Sequence, residues 1–359
     1  MRMLDESLYV LQVNGVRLHY AVQGEGAPIV LVHGNGEDHH LFDTEIRQLT
    51  EAGYCVYAPD SRGHGANERL SEYHYADMAE DMFQFIRALG LEKPAFYGHS
   101  DGGIIGLMLE LMHPGTLSRL AVSGANLSPE GLQPGFLREC EERNAQCADP
   151  LVTLMLSEPQ IAPESLEGIA IPVLVTAGEE DLVLREETLR IARHLRTVHA
   201  VIAAGEDHGS YVSESPVMGA LLLEFLCEEP KKAITVAAHP RFLNTVTDFA
   251  VGTLEREGCP EGTRTQMDAA VREAFESICR HRYAGTVTVR VSCADGAAAL
   301  TLIDDGNPFN PLEAEDGDGT DLFCVKEAMD RMTYQRADGQ NVLRMYKRFR
   351  TSMETPRRF

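Results

Sequence analysis

The sequence predicts an α/β protein, a parallel sheet with helices on both faces, followed by a second, smaller α+β module. Three observations carry this. Short apolar runs alternate with helical stretches through the first 227 residues, the rhythm of repeated strand-helix units. Beyond Pro230 the order becomes strand, helix, helix and then mostly strands, the order of a two-layer sandwich. The charge balance changes at the same place. Residues 1–229 hold 14 Lys and Arg against 36 Asp and Glu, a net −22, whereas residues 231–359 hold 18 against 19, a net −1. The chain therefore divides near Glu228-Glu229-Pro230-Lys231-Lys232 into domains 1–229 and 231–359.

Taken in order, residues 8–20 alternate around Asn14-Gly15, a strong two-residue hairpin signal. Strands follow at Ile29 to Val32, Cys55 to Ala58, Ala95 to Tyr97, Leu117 to Val122, Val173 to Ala177 and Val198 to Ile202. Helices are expected over Ala76 to Leu89, where Ala79, Met82, Phe83, Ile86 and Leu89 recur at helical spacing, and over Gly102 to His113, stopped by Pro114. Two more are expected at Arg185 to Leu195 and Pro216 to Cys227. Between Ser123 and Ile171 the rhythm breaks, and residues 127–168 are rich in Pro, Glu and Gly with helical patches at Phe136–Cys147 and Leu151–Ser157. This segment reads as a short cap insertion over the strand ends. In the second module a strand is expected at Ala233 to Ala238, helices at Pro240 to Glu257 and Thr265 to His281, and strands at Gly285 to Ser292 and Ala298 to Ile303. A helix at Leu322 to Arg331 and a strand at Val342 to Lys347 complete it.

Composition excludes several classes. With 44% hydrophobic and 24% charged residues in 359, the chain is not a disordered polymer. A net charge of −23 makes nucleic acid a poor partner, because phosphate contacts need Lys and Arg. No apolar run approaches the ~18–20 residues of a membrane span, and the start, MRMLDESLYV, lacks the apolar core of a secretory signal. The eight cysteines are scattered with no C-x-x-C pair, which fits neither a zinc cluster nor a disulfide scaffold. Free thiols in a reducing cytoplasm, and no metal, are the expectation.

The chemistry concentrates in Gly98-His99-Ser100-Asp101-Gly102, a G-x-S-x-G between an expected strand and an expected helix. That context suits a nucleophile elbow, where flanking glycines remove side chains that would clash with a strained turn. A serine hydroxyl is a weak nucleophile and needs a base, and the base needs an orienting acid. In chain order Ser, acid, His, the candidates are Asp181, after a strand in Val173–Glu180, and His208, after the next strand. Glu179 and Glu180 rival Asp181 for the acid role. Both loops follow strand C-terminal ends, the edge where α/β sites form. At another such end stands His33-Gly34-Asn35-Gly36, and the backbone N–H of Asn35 with that of Asp101 would form an oxyanion hole. Such donors supply ~3–4 kcal/mol of transition-state stabilisation each. His39, His40, His64, His113 and His194 are read as surface or hydrogen-bonded residues.

Residues 8–227 resemble the α/β-hydrolase superfamily. The likeness rests on His33-Gly34-Asn35-Gly36, Asp60-Ser61-Arg62-Gly63-His64-Gly65, Gly98-His99-Ser100-Asp101-Gly102, Gly178-Glu179-Glu180-Asp181 and Asp207-His208-Gly209. It implies an α/β-hydrolase fold and acyl transfer to Ser100 followed by hydrolysis, with His208 as acid and base, Asp181 fixing its tautomer and no cofactor. A serine at the nucleophile position argues against a dehalogenase or epoxide hydrolase. The short cap implies a small or open roof. The acidic field disfavours anionic substrates, which points to a neutral or cationic ester, lactone or amide.

In the second module an amphipathic helix runs through Asp268 to Tyr283, with Val271, Phe275 and Ile278 on one face. A Gly/Asp-rich loop follows at Asp304-Asp305-Gly306-Asn307. With Gly317-Asp318-Gly319 and the run from Leu322, this resembles the anti-sigma-factor branch of the histidine-kinase-type ATPase fold. The resemblance implies ATP and Mg²⁺, with Asp304 on the adenine amino group, Gly306 letting the backbone approach the base, Glu273 assisting phosphoryl transfer, and Gly317 and Gly319 at the phosphates. Two residues depart from the pattern. Ser277 stands where an asparagine would ligate Mg²⁺ and is shorter; Asp321 stands where a glycine would offer its amide to phosphate, and its carboxylate repels the triphosphate. An inherited fold without ATP, weak ATP or ADP binding, and an active kinase all remain open.

Two functions follow. One is a serine hydrolase acting on a small-molecule substrate, with a regulatory or partner-binding second domain. The other is a signalling protein whose hydrolase domain senses a small molecule while the second domain binds nucleotide or a protein partner of the sigma-factor regulatory type.

Overall fold

The computed structural model describes residues 8–227, 232–281, 283–294, 296–312, 322–337 and 339–349. They form two compact units, one from the residues up to 227 apart from 199–202, the other from 199–202 and the residues from 232 onward. Among the described residues no helix is long and apolar enough to cross a membrane.

The first unit opens with β1 (Tyr9–Val13) and β2 (Val16–Gln23), an antiparallel hairpin. Asn14 and Gly15 sit at φ 43° and 80°, the left-handed pair that a tight hairpin turn requires. Then come β3 (Ala27–Val32), α1 (Asp43–Glu51), β4 (Tyr54–Pro59), α2 (Tyr75–Ala88), β5 (Ala95–His99), α3 (Asp101–Met112) and β6 (Arg119–Ser123). Two helices, α4 (Pro134–Cys147) and α5 (Pro150–Ser157), lie in the segment between β6 and β7 (Val173–Glu180). The unit closes with α6 (Arg185–His194), β8 (Val198–Asp207) and α7 (Val217–Cys227).

Its strands lie in the order β1-β2-β4-β3-β5-β6-β7-β8, antiparallel from β1 to β4 and parallel from β4 through β7. Register aligns their ends: Val32 pairs with Gly98, His99 with Ser123, and Ser123 with Thr176. The loops after β3, β5 and β6 therefore leave the sheet along one carboxyl edge. Helix α3 is buried on nearly every side, from Gly102 to Leu109. A methyl group on Gly106 would lie 2.8 Å from both Leu120 and Phe96, so a glycine lets the helix settle onto the sheet.

The second unit contains β9 (Lys232–Ala237), α8 (Leu243–Arg256), α9 (Glu261–His281), β10 (Thr286–Ala294) and β11 (Ala297–Asp304). It ends with α10 (Phe323–Ala328), β12 (Arg331–Ala337) and β13 (Gln340–Arg348). These strands form an antiparallel array in the order β9-β10-β11-β13-β12. Alternate residues Val287, Val289 and Val291 of β10 point into the core with Phe249 of α8 and Phe275 of α9. Each fully buried phenylalanine is worth roughly 1.5–3 kcal/mol.

The helix expected over Leu322 to Arg331 is shorter than its sequence suggests, and Arg331 to Ala337 is a strand the sequence pattern does not reveal. The reason is position. β12 is the edge strand, no residue of it is fully buried, and without a buried face it has no apolar alternation to read.

One buried charge stands out in the first unit. Glu45 on α1 is fully buried, and neither carboxylate oxygen has a hydrogen-bond partner among the described residues. Burial, with the charge of Asp43, pushes its carboxyl up from 4.5 to about 8. The folded state therefore holds a proton that the unfolded chain releases near pH 4.5, so stability declines as pH rises from about 4.5 to 8. Glu45→Gln should raise the melting temperature at pH 8 and change it little at pH 5, read by thermal denaturation across that range. An offset that stays constant with pH contradicts a protonated Glu45.

Candidate active site

Ser100 joins the end of β5 to the start of α3 with φ 52° and ψ −116°, a left-handed conformation uncommon outside glycine. Its neighbours enforce the turn. A side chain on Gly98 would come 2.0 Å from the Gly102 carbonyl oxygen, and one on Gly102 would come 1.9 Å from that of Val32. The strained residue is held at both ends of its backbone. Its N–H donates to Ser123 O at 2.7 Å, and its carbonyl accepts from Gly103 and Ile104 N–H at 2.9 and 3.2 Å.

Asp181 follows β7 and is buried. Its Oδ2 accepts from Gly178 N–H, and its Oδ1 accepts from Val183 N–H, each at 2.9 Å. His208, just past β8, donates its Nδ1–H to the same Oδ1 at 2.6 Å. Of the three neighbouring carboxylates, Asp181 is thus the one that meets the imidazole; Glu179 accepts from Gly205 N–H, and Glu180 is exposed. Burial pulls the His208 pKa down, but the Asp181 hydrogen bond and charge, with Glu37 and Asp101, outweigh it and leave the imidazole above its ordinary value. Gly124, at φ 58°, makes room for it: a side chain there would lie 2.5 Å from the ring.

Ser100 and His208 line one small cavity of about 30 Å³ and are not hydrogen-bonded to each other in this structure. Apo sites are often loose in this way and tighten around a substrate. Leu132, Phe136 and Met155, from the segment between β6 and β7, roof the cavity. A larger cavity of about 510 Å³, lined by Gln12, Arg17, His19, Arg62 and Asn67, holds none of the site residues expected from the sequence.

The loop after β3 reaches the same place. A side chain on Gly34 would lie 2.9 Å from Ser100 Cβ. His33 pins this turn, donating Nδ1–H to Gly34 O at 2.8 Å and accepting Ser61 N–H at Nε2 at 3.0 Å. Burial and the neighbouring His64 push the His33 imidazole down to about 4. Among the described residues, neither Asn35 N–H nor Asp101 N–H donates to a protein acceptor. The Asp101 side chain is buried, which raises its pKa against the opposing bonds from Tyr75 and Asn35. Tyr75, Asn126, Glu158 and Gly124 are site residues that sequence reading misses. Only Gly124, following directly on an apolar strand, carried any signal.

In the second unit, Glu273 and Ser277 stand one turn apart on α9. The Ser277 hydroxyl is buried without a hydrogen-bond partner among the described residues. Asp304 ends β11, with Oδ1 accepting from Gly306 N–H at 3.1 Å and from Asn341 Nδ2 at 2.7 Å. Asn341, fully buried on β13, accepts at Oδ1 from Tyr334 OH and Arg336, at 2.7 and 2.8 Å. Gly317, Gly319 and Asp321 lie outside the described residues. Asp304 Oδ1 is thus taken up by protein donors, whereas the Ser277 hydroxyl is a buried polar atom left unpaired among the described residues. Among the described residues no group of three or more His, Cys, Asp or Glu is placed to hold a metal ion.

Residues 27–139 match the family model of the alpha/beta hydrolase fold, and residues 236–347 match that of the histidine kinase-like ATPase domain. A pig (Sus scrofa) protein named bifunctional epoxide hydrolase 2 is 34% identical over 131 residues, which cover 34% of this chain and 24% of that protein. The chain thus spans about a quarter of the length of that relative. The AB hydrolase superfamily protein YisY of Bacillus subtilis (strain 168) is 23% identical over 262 residues, 60% of this chain and 98% of that one. Among solved structures, an esterase from Exiguobacterium antarcticum superposes with a TM-score of 0.55 at 20% identity, over 61% of this chain and 99% of that one, a likeness of fold.

The opposing influences on His208 give a test. Its titration, followed by NMR, should centre above the ordinary histidine value of 6.5. Asp181→Asn removes the largest raising influence and leaves burial unopposed by that pair, so the midpoint should fall. A midpoint indifferent to Asp181→Asn contradicts the assignment of that pair.

Proposed function

We propose that this chain, which joins an α/β-hydrolase-fold domain to a histidine kinase-like ATPase domain, is a serine hydrolase. Its substrate is a small, neutral or cationic ester, lactone or amide. The observation that carries this reading is the His208–Asp181 hydrogen bond of 2.6 Å beside a cavity that Ser100 also lines. With Nδ1–H committed to Asp181, Nε2 is the nitrogen left to take the Ser100 proton, and the Asp181 carboxylate makes it a stronger base than an ordinary imidazole. Attack by Oγ on the carbonyl carbon forms the acyl-enzyme and places negative charge on the carbonyl oxygen. The N–H groups of Asn35 and Asp101 are unspent and stand on the two segments that meet at Ser100. His208 then returns the proton to the leaving group, and water, deprotonated by the same nitrogen, releases the acid.

Carboxylates of Asp101 and Glu158 line the cavity, which disfavours an anionic acyl group. The relative named as an epoxide hydrolase does not extend that reaction to this chain, because a hydroxyl stands at Ser100, the nucleophile of this reading.

The second unit is proposed as a regulatory module that binds a protein partner of the sigma-factor regulatory type, so that occupancy or turnover in the hydrolase domain serves as its signal. Were nucleotide bound there, Asp304 and Gly306 would hold the base, with Glu273 and Ser277 toward the phosphates.

Labelling with a fluorophosphonate tests the first part. Wild-type protein should be labelled and Ser100→Ala should not, with hydrolysis of short aryl esters falling by about 10⁴-fold or more. Equal labelling of both, or none of either, sinks the reading. For the second unit, calorimetric titration of the full chain with Mg·ATP should give no saturable heat. Saturable heat in the wild type would instead establish a working nucleotide site.

A further inference from the structure

Asp101 carries a carboxylate that the acyl-transfer steps do not use, yet two side chains donate hydrogen bonds to it. Tyr75 OH donates to Asp101 Oδ1 at 2.7 Å, and Asn35 Nδ2 donates to Oδ2 at 3.0 Å. The same Asn35 amide donates to Leu151 O, in roof helix α5, at 3.2 Å. Tyr75 is tied to the roof as well, its backbone N–H donating at 3.0 Å to Glu158, which follows α5. The two residues credited with the oxyanion-binding N–H groups are therefore bonded to each other through their side chains, and both are linked to the roof.

The need for such a bond follows from the two loops. Asp101 starts a buried helix and cannot move far. Asn35 lies between Gly34 and Gly36, the latter at φ 77°, in a turn that the His33 and Glu37 side chains hold at Gly34, one residue short of the Asn35 N–H. An oxyanion hole works only if both donors hold their spacing while charge develops, because a small displacement weakens a hydrogen bond steeply.

We propose that the Asn35 and Asp101 side chains form a clamp that sets the spacing of the two oxyanion N–H groups and couples it to the seating of the α5 roof. Both side chains are positioning groups; the backbone amides are the groups that touch the substrate. The inference rests on the serine-hydrolase reading above.

The test uses the full chain, with the rate of fluorophosphonate labelling and steady-state hydrolysis of p-nitrophenyl acetate as readouts. Asn35→Ala keeps the backbone N–H and removes the clamp. It should lower kcat and the labelling rate by about 10-fold or more, with KM within about twofold, short of the 10²–10³-fold cost of deleting a donor outright. Asn35→Asp opposes two carboxylates and should be at least as slow. Adding Asp101→Asn to Asn35→Asp reverses the polarity of the pair: the new amide donates to the new carboxylate, and Tyr75 still donates to the amide oxygen. That double variant should recover kcat relative to Asn35→Asp but show a raised KM, because the bond to Leu151 O is not restored. A merely structural role predicts no such rescue. Wild-type rates in Asn35→Ala, or a double variant no faster than Asn35→Asp when both are folded by circular dichroism, overturn the clamp while wild-type labelling leaves the hydrolase reading intact. Absence of Ser100-dependent labelling in the wild type removes the hydrolase reading and the clamp with it.

Discussion

The architecture of the site depends on two backbone oxygens that leave no room for a side chain. The Gly102 carbonyl crowds position 98 and the Val32 carbonyl crowds position 102, so α3 can begin directly at the end of β5 while pressed against β3. The chain between them must turn within a single residue, and Ser100 takes the left-handed conformation that results. Strain of this kind costs on the order of 1–3 kcal/mol and persists only where the surroundings over-determine it. Here the Ser123 carbonyl holds the residue from one side and the first helical amides from the other. The same closeness places the loop after β3 against Ser100, so the turn that strains the serine also delivers the oxyanion amides to it.

Burial then sorts the ionisable groups around that turn. All of them lose solvent, which favours the neutral form of each. His99 and His33 have no carboxylate at hydrogen-bond distance to offset that loss, and both are shifted down, with His99 further lowered by the neighbouring His208. His208 differs through one contact, the Asp181 carboxylate at its Nδ1, and moves in the opposite direction. Of these three imidazoles only His208 is shifted upward, and the carboxylate that raises its pKa also fixes which nitrogen faces the cavity.

What could be read from the sequence follows how local each feature is. Gly98, Ser100 and Gly102 are legible because the constraint acts between residues two to four apart. Asp181 and His208 are legible because each stands just after an apolar strand. The sequence favours Asp181 over Glu179, but the contact that occupies Glu179, the bond from Gly205 N–H, is one that no local pattern encodes. Tyr75 reads only as the first residue of a helix, and its phenol meets Asp101 through packing that no spacing encodes. Asn126 and Glu158 come from the segment between β6 and β7, whose path is set by contacts distant in sequence. In the second unit β12 is missed because it buries no face, although Asp338-Gly339 before the last strand is a turn signal that goes unread.

Asn341 shows why a family-like residue in the second unit is weak evidence for nucleotide binding. Its amide donates to Asp304 Oδ1, Gly306 O and Asn307 O, while its own oxygen accepts from Tyr334 and Arg336. Arg336 also donates to Gly306 O, which closes the network. Asp304 and Gly306 are thereby part of the hydrogen bonding that holds β11, β13 and β12 together at one end. Replacing Asp304 would strand buried donors whether or not a base ever bound there, so the fold alone accounts for its presence. Ser277 is in the opposite position. No group among the described residues partners its buried hydroxyl, and nothing in the fold accounts for a polar atom there. Asp304 and Gly306 are therefore accounted for by the hydrogen bonding of the strands themselves, whereas the Ser277 hydroxyl is not.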